Sequence, residues 1–186
     1  MAGLKRVEVE LKFPLLNHEA LAGKLDVVAK REKQGELQKD SYYTPEHRDF
    51  IAEKPVREWL RVRESENNCS LTYKNWHKEK NRNTVSCDEF ETRVSDAEAL
   101  KKILESLDFK RVVFVEKKRS TWKYKEAEIA VDDVAGLGFF IELEATGEFA
   151  DIQAAEKRLH EILLEIGAET GEQDFEGYAY LLLKKD

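Results

Sequence analysis

Three of the chain's Glu-x-Glu pairs fall on strand-like segments rich in charge: Glu8 with Glu10, Glu89 with Glu91, and Glu142 with Glu144. Basic residues repeat the spacing in Arg61-Val62-Arg63 and Lys117-Lys118-Arg119, and Lys74 adds one more. On a strand, residues two apart share a face at roughly 7 Å. Two carboxylates so placed repel each other unless something neutralises them. A divalent metal is the usual remedy, and hard oxygen ligands select Mg²⁺, Mn²⁺ or Ca²⁺. Arginines and lysines converging nearby suit a polyphosphate, because a guanidinium grips phosphate oxygens in a bidentate fork. Acid for metal, with metal and base for phosphate, are the parts of one site.

Strands must position these residues, because the dominant pattern is alternation with period two. From Leu4 to Phe13, Val7, Val9, Leu11 and Phe13 face one way, and Glu8, Glu10 and Lys12 the other. Arg57 to Glu66 sets Leu60 and Val62 against Arg61 and Arg63, and after a turn at Glu66-Asn67-Asn68 the chain returns over Ser70 to Trp76. Val85 to Val94 carries Glu89 and Glu91, Lys110 to Tyr124 and Ala127 to Val134 read as a hairpin, and Gly138 to Thr146 closes the set. A weaker pattern covers Lys33 to Thr44. Three helices interrupt the strands. Asn17 caps the first, with a stripe of Leu21, Leu25 and Val28. Ser95-Asp96-Ala97-Glu98 reads as a capping box, followed by Leu100, Ile103, Leu104 and Leu107 on one face. The third starts near Phe149, shows Ile152, Ala155, Leu159, Ile162, Leu163 and Ile166, and stops at Gly167. The apolar tail, Gly177 to Leu183, docks as helix or strand. The class is α+β.

Strands with charges on one face must bury the other. An open sheet turning its charged face to bulk water is the bland arrangement. A sheet curled around a water-filled lumen is the alternative, favoured by charges that segregate by strand and by Glu being a poor strand former.

The 186 residues fit a single domain, 1–186, able to bury a full core without staples. The 38 acidic and 31 basic residues give a net charge of −7, which offers no footprint for non-specific nucleic-acid binding. Cys69 and Cys87 are too few for a disulfide scaffold or a zinc cluster. The segment from Met1 to Pro14 is interrupted by charge and is not read as a signal peptide, and no apolar run approaches the roughly 20 residues of a membrane helix. The expectation is a soluble, cytoplasmic protein with no membrane partner; a homodimer is compatible with it.

In order along the chain, Glu8-Val9-Glu10-Leu11-Lys12, Trp59-Leu60-Arg61-Val62-Arg63, Leu71-Thr72-Tyr73-Lys74, Lys117-Lys118-Arg119, Val131-Asp132-Asp133-Val134 and Leu137 to Glu144 resemble the motif series of the CYTH superfamily, the triphosphate tunnel metalloenzymes. The resemblance runs from Arg6 to about Thr146, and the last helix and tail are also similar. It implies an eight-stranded antiparallel β-barrel, with helices outside and the triphosphate within. It further implies that Glu8, Glu10 and Glu142, with Glu144 a weaker candidate, bind Mg²⁺ or Mn²⁺. Arg61, Arg63, Lys74, Lys117 and Arg119 would grip phosphates. Lys12 would tune a carboxylate or the attacking group, and Asp132 would hold a second metal or orient the nucleophile. Glu89 and Glu91 fall where the family has a further acidic strand.

The run is most similar to the class IV adenylate cyclases, which convert ATP to cyclic AMP and pyrophosphate, although the His-Phe pair those enzymes often carry is replaced by Gly3-Leu4. A triphosphate phosphohydrolase, acting on tripolyphosphate, thiamine triphosphate or a nucleoside triphosphate, and a non-catalytic triphosphate-binding module are the alternatives. Removing one site carboxylate is expected to weaken metal binding and to raise stability by relieving repulsion. The quieter candidates have plainer readings. His18 and His160 are helix residues at the surface or core edge, and His47 sits in a loop within reach of a nucleotide base. Trp76 to Arg82 forms a basic flap, and Tyr42 and Tyr43 are wall packing.

Overall fold

Alternating apolar and charged residues build strands with two unlike faces, and the computed structural model, which describes residues 9–66, 68–78 and 85–185, shows where each face goes. The elements run β1 (Glu10–Pro14), α1 (His18–Val28), β2 (Lys30–Pro45), β3 (Glu58–Ser65), β4 (Asn68–Lys78), β5 (Val85–Arg93), α2 (Ala97–Ser106), β6 (Phe109–Tyr124), β7 (Ala127–Val134), β8 (Gly138–Ala145), α3 (Ile152–Ile166) and α4 (Tyr178–Leu183). The eight strands form one sheet in the order β1-β8-β7-β6-β2-β3-β4-β5, antiparallel at the registered pairs. This is the α+β, eight-stranded antiparallel architecture that the sequence predicts.

The chain divides into two compact units, with β2 and β6 each contributing to both. The first comprises Met1–Glu36 and Lys117–Gly177. Its register sets Leu11 against Leu143 and Phe13 against Ile141, with Ile129 and Val131 beyond them on β7. These residues pack with Leu21 and Leu25 of α1, Leu159, Ile162 and Ile166 of α3, and the fully buried Trp122. Each buried Leu or Ile stabilises by roughly 1.5–3 kcal/mol relative to leaving it in water. With helices on this face, the opposite face carries Glu10, Lys12, Arg119, Asp132 and Glu142. Gly167 ends α3 in the left-handed region at φ 71°, and Ala168 N–H donates back to Leu163 O at 3.2 Å. The chain after it then lies along the edge of β1 that β8 leaves free. Leu16 N–H donates to Glu169 O at 2.8 Å, Gly171 N–H to Pro14 O at 2.9 Å, and Asp174 N–H to Lys12 O at 2.9 Å.

The second unit comprises Leu37–Glu116 and Tyr178–Asp186. One face of its strands packs Tyr43, Val62, Leu60 and Leu71 against Leu100 and Leu104 of α2. The other carries Asp40, Arg61, Arg63, Thr72 and Lys74.

Several local expectations are corrected. Asn17 precedes α1 but makes no side-chain cap; its amide donates to Gly167 O at 2.9 Å and accepts from Glu169 N–H at 3.0 Å. Asp96, not Ser95, caps α2, accepting from Ala99 N–H at 2.9 Å. The third helix starts at Ile152, because Asp151 accepts from Ala154 N–H at 2.7 Å. Val28, Ile103 and Leu107 remain largely exposed. The weak pattern at Lys33 to Thr44 is the 16-residue β2, whose first half is exposed on both faces and so shows no alternation to read. The tail is helical.

Candidate functional site

On the charged face of the first unit, six residues form a chain of alternating sign. Register places Lys12 of β1 opposite Glu142 of β8, and Arg119 of β6 opposite Asp132 of β7. Lys12 Nζ lies 2.8 Å from Glu142 Oε1 and 3.2 Å from Glu10 Oε1. Glu142 Oε2 accepts from Arg119, whose Nε donates to Asp132 Oδ1 at 2.7 Å. Lys117 Nζ donates to Asp132 Oδ2 at 3.0 Å, and both partners are buried. The sequence therefore brings Glu10, Lys12, Glu142, Arg119, Asp132 and Lys117 into one ionic network, with Glu10 as its solvent-facing end.

Burial and charge compete across this network. Burial by itself raises the pKa of Glu142, but Lys12, then Arg119 and Lys117, overcome it and hold the carboxyl well below its usual range. Burial likewise opposes ionisation of Asp132, and the Arg119 hydrogen bond and charge, with Lys117, keep it ionised. Burial disfavours the Lys12 ammonium, yet Glu142 and Glu10 raise its pKa.

Glu144 is half-buried and stands opposite both Glu10 and Glu128. Glu8 lies outside the described residues. Among the described residues, no three carboxylate, histidine or cysteine side chains make a ready metal cage. The donor chemistry still fits a hard divalent ion: Glu142 is ionised, Glu10 shares Lys12 with it, and Mg²⁺ commonly takes one or two carboxylates with water and phosphate oxygens completing its shell.

On the charged face of the second unit, Arg63 binds Asp40 in a bidentate fork, with Nε to Oδ1 at 2.7 Å and Nη2 to Oδ2 at 2.6 Å. Asp40 is buried. Arg61 Nη2 donates to Thr72 Oγ1 at 3.2 Å, and Thr72 donates to Glu91 Oε2 at 2.8 Å. Among the described residues, the buried Arg61 Nε has no hydrogen-bond acceptor. Lys74 Nζ sits 2.9 Å from Glu89 Oε2. Glu89 and Glu91 are thus partners of the neighbouring strand's polar groups. Asp40 and Thr72 escaped sequence reasoning. The available signal was the pairing of Gln38-x-Asp40-x-Tyr42 with the arginine strand, which needs the register to be known.

The quieter candidates resolve simply. His18 stacks on Phe139, and His160 meets Phe13 edge-on at 6.1 Å. His47 is exposed, and residues 79–82 of the basic flap lie outside the described residues. Burial raises the Cys69 thiol pKa, which opposes a nucleophilic role. No described helix is long and apolar enough to cross a membrane.

Comparison with known proteins adds the following. The family model of the CYTH domain matches residues 6–178. A protein of Methanocaldococcus jannaschii, named as a candidate adenylate cyclase, is 31% identical over 157 residues, covering 84% of this chain and 86% of its own. A solved protein of Pyrococcus horikoshii OT3 is 31% identical and superposes with a TM-score of 0.76, covering 97% of this chain and all (100%) of its own. A Hippeastrum protein, described as a candidate adenylyl cyclase with a dominant triphosphatase activity, shares the fold at 14% identity and a TM-score of 0.64, covering 96% of each chain.

Proposed function

Because the chain belongs to the CYTH domain family, we propose that it is a divalent-metal-dependent enzyme acting on a triphosphate, an adenylate cyclase that converts ATP to cyclic AMP and pyrophosphate. The observation that carries this reading is the Glu10–Lys12–Glu142–Arg119 network, in which carboxylates and cations are held together on one charged sheet face. Glu10 and Glu142, with Glu8 and Glu144, would hold Mg²⁺ or Mn²⁺. Such an ion supplies charge neutralisation on phosphate oxygens and on the leaving group.

The chain's own residues do the rest. Arg61, whose buried Nε lacks an acceptor among the described residues, donates to a phosphate oxygen. Arg63, Lys74, Lys117 and Arg119 neutralise the remaining phosphate charge. Asp40 fixes the Arg63 fork, and Asp132 fixes Arg119 and Lys117, so these cations are already oriented when the substrate arrives. Lys12, held protonated by Glu10 and Glu142, keeps the two carboxylates together and is a positioning group rather than a base.

In the cyclase the ribose 3′-hydroxyl attacks the α-phosphorus and pyrophosphate departs. In the second reading, favoured by the activity described for the Hippeastrum protein, water attacks the terminal phosphorus, its bond to the bridging oxygen breaks, the nucleoside diphosphate or pyrophosphate leaves, and the attacked phosphoryl group is released as orthophosphate. The two differ in which phosphorus lies in line with the nucleophile. Product analysis tests this: purified protein is incubated with ATP and with tripolyphosphate, each with Mg²⁺ or Mn²⁺. Cyclic AMP with pyrophosphate is the expected outcome; orthophosphate supports the second reading. Release of neither, in a preparation that binds triphosphate, overturns the enzyme.

A further inference from the structure

The charged face of the second unit carries large aromatic side chains beside its ion pairs. In β3, Trp59, Arg61 and Arg63 share a face, and in β4 Trp76 shares that face with Lys74 and Thr72. Register places Tyr42 opposite Arg61 and Trp59 opposite Lys74, while Trp76 N–H pairs back to Arg57 O at 3.0 Å. Tyr42, Trp59 and Trp76 therefore run diagonally across three neighbouring strands, each displaced by one two-residue step from the last. Diagonal neighbours on a sheet are within reach for aromatic rings, and the Tyr42 and Trp59 rings meet edge-on with centroids 5.4 Å apart.

Core packing does not explain this row. The apolar partners of the unit, Tyr43, Val62 and Leu104, lie in the cluster on the opposite face. Tyr73, on that opposite face too, finds its own ring neighbours in Phe50 and Phe90. Trp76 remains 38% exposed. The row begins at Tyr42, directly opposite Arg61, and Trp59 stands one step, roughly 7 Å along the strand, from that arginine, whose buried Nε has no acceptor among the described residues. Cations followed at once by flat apolar surface match a ligand that is polyanionic at one end and aromatic at the other.

We infer that Trp59 and Trp76, with Tyr42 bracing Trp59, form a stacking platform for the base of a nucleoside triphosphate, so that the protein prefers nucleoside triphosphates to inorganic tripolyphosphate. This rests on the triphosphate reading above and adds to it the group that selects the substrate. Stacking is tolerant of base identity because every base offers a π face, so the platform discriminates base-bearing from base-free triphosphates more than purine from pyrimidine.

Calorimetric titration of wild type, Trp59→Leu, Trp76→Leu and Trp59→Phe tests it, with β,γ-imido-ATP, methyl triphosphate and tripolyphosphate as probes in Mg²⁺. Loss of one stacking surface should weaken imido-ATP by roughly 5- to 150-fold, with tripolyphosphate and methyl triphosphate within about twofold of wild type. Trp59→Phe, which retains a ring, should stay near wild type, and unchanged tripolyphosphate binding shows that each variant is folded. Equal weakening of all probes, or imido-ATP binding that no leucine variant changes, overturns the platform while leaving the triphosphate site standing. Wild-type protein that binds none of the probes overturns the triphosphate reading and the platform with it.

Discussion

Glu142 accepts from two cations at once, Lys12 on one oxygen and Arg119 on the other, and its side chain is 12% exposed. Its removal therefore leaves two largely buried cations short of a counter-charge. The sequence, showing only carboxylates two apart, predicted that deleting one would relieve repulsion and raise stability; the network reverses that sign. Glu142→Gln should destabilise the protein by about 3–5 kcal/mol, the range for breaking one side of a buried pair, and should abolish turnover. Glu10→Gln, at a position 47% exposed, should cost less than about 1 kcal/mol and act mainly on metal dependence. Chemical denaturation of both variants measures the difference, and equal losses would contradict the burial argument. Acid pH probes the same atoms. Glu142 and Asp132 both have folded pKa values depressed below their ordinary 4.5 and 3.8. Their contribution is then fully present above those ordinary values and is lost as pH falls through the folded ones. Stability should fall with acid below about pH 4.5, and Glu142→Gln should flatten that fall.

Elements were legible where the signal was local. The α3 stripe, the Gly167 stop and the β6–β7 hairpin are all periodic or turn-based patterns within a few residues, and the structure has each of them. Asn17 misleads because its partners, Gly167 and Glu169, are 150 and 152 residues away, so a capping pattern and a long-range tie look alike in sequence. Asp96 displaces Ser95 as cap because adjacent residues of similar chemistry compete and backbone geometry decides. The Asp151 cap, by contrast, is a purely local device. Asp151→Ala should cost about 0.5–2 kcal/mol, read in thermal denaturation, whereas Asp151→Asn should retain most of the stability. If the asparagine variant loses as much as alanine, the residue stabilises α3 through charge and not through the hydrogen bond to Ala154.

At the scale of the molecule, the candidate residues could be picked out because strand alternation assigns every charge to a face, but their partners could not. Which carboxylate meets which cation depends on register between strands distant in sequence: Lys12 with Glu142, Asp40 with Arg63. Net charge sets a further condition. With −7 overall, the long-range field repels a polyanion, so on the proposed reading affinity would come from local cations and from added divalent metal. Several of those cations are already paired with carboxylates, Arg63 by Asp40 and Arg119 by Asp132 and Glu142. On the triphosphate reading proposed above, a substrate would meet partly neutralised bases, and metal would supply the missing positive charge. A saturating ligand at 100 times its dissociation constant adds about 2.7 kcal/mol, which for a chain of this size is a rise of roughly 5–11 °C in Tm. Tripolyphosphate with Mg²⁺ or Mn²⁺ should produce that rise, either component alone should produce much less, and EDTA should cancel it. A full rise with tripolyphosphate in EDTA would mean that the bases suffice, and the carboxylates would then need a purpose other than holding metal.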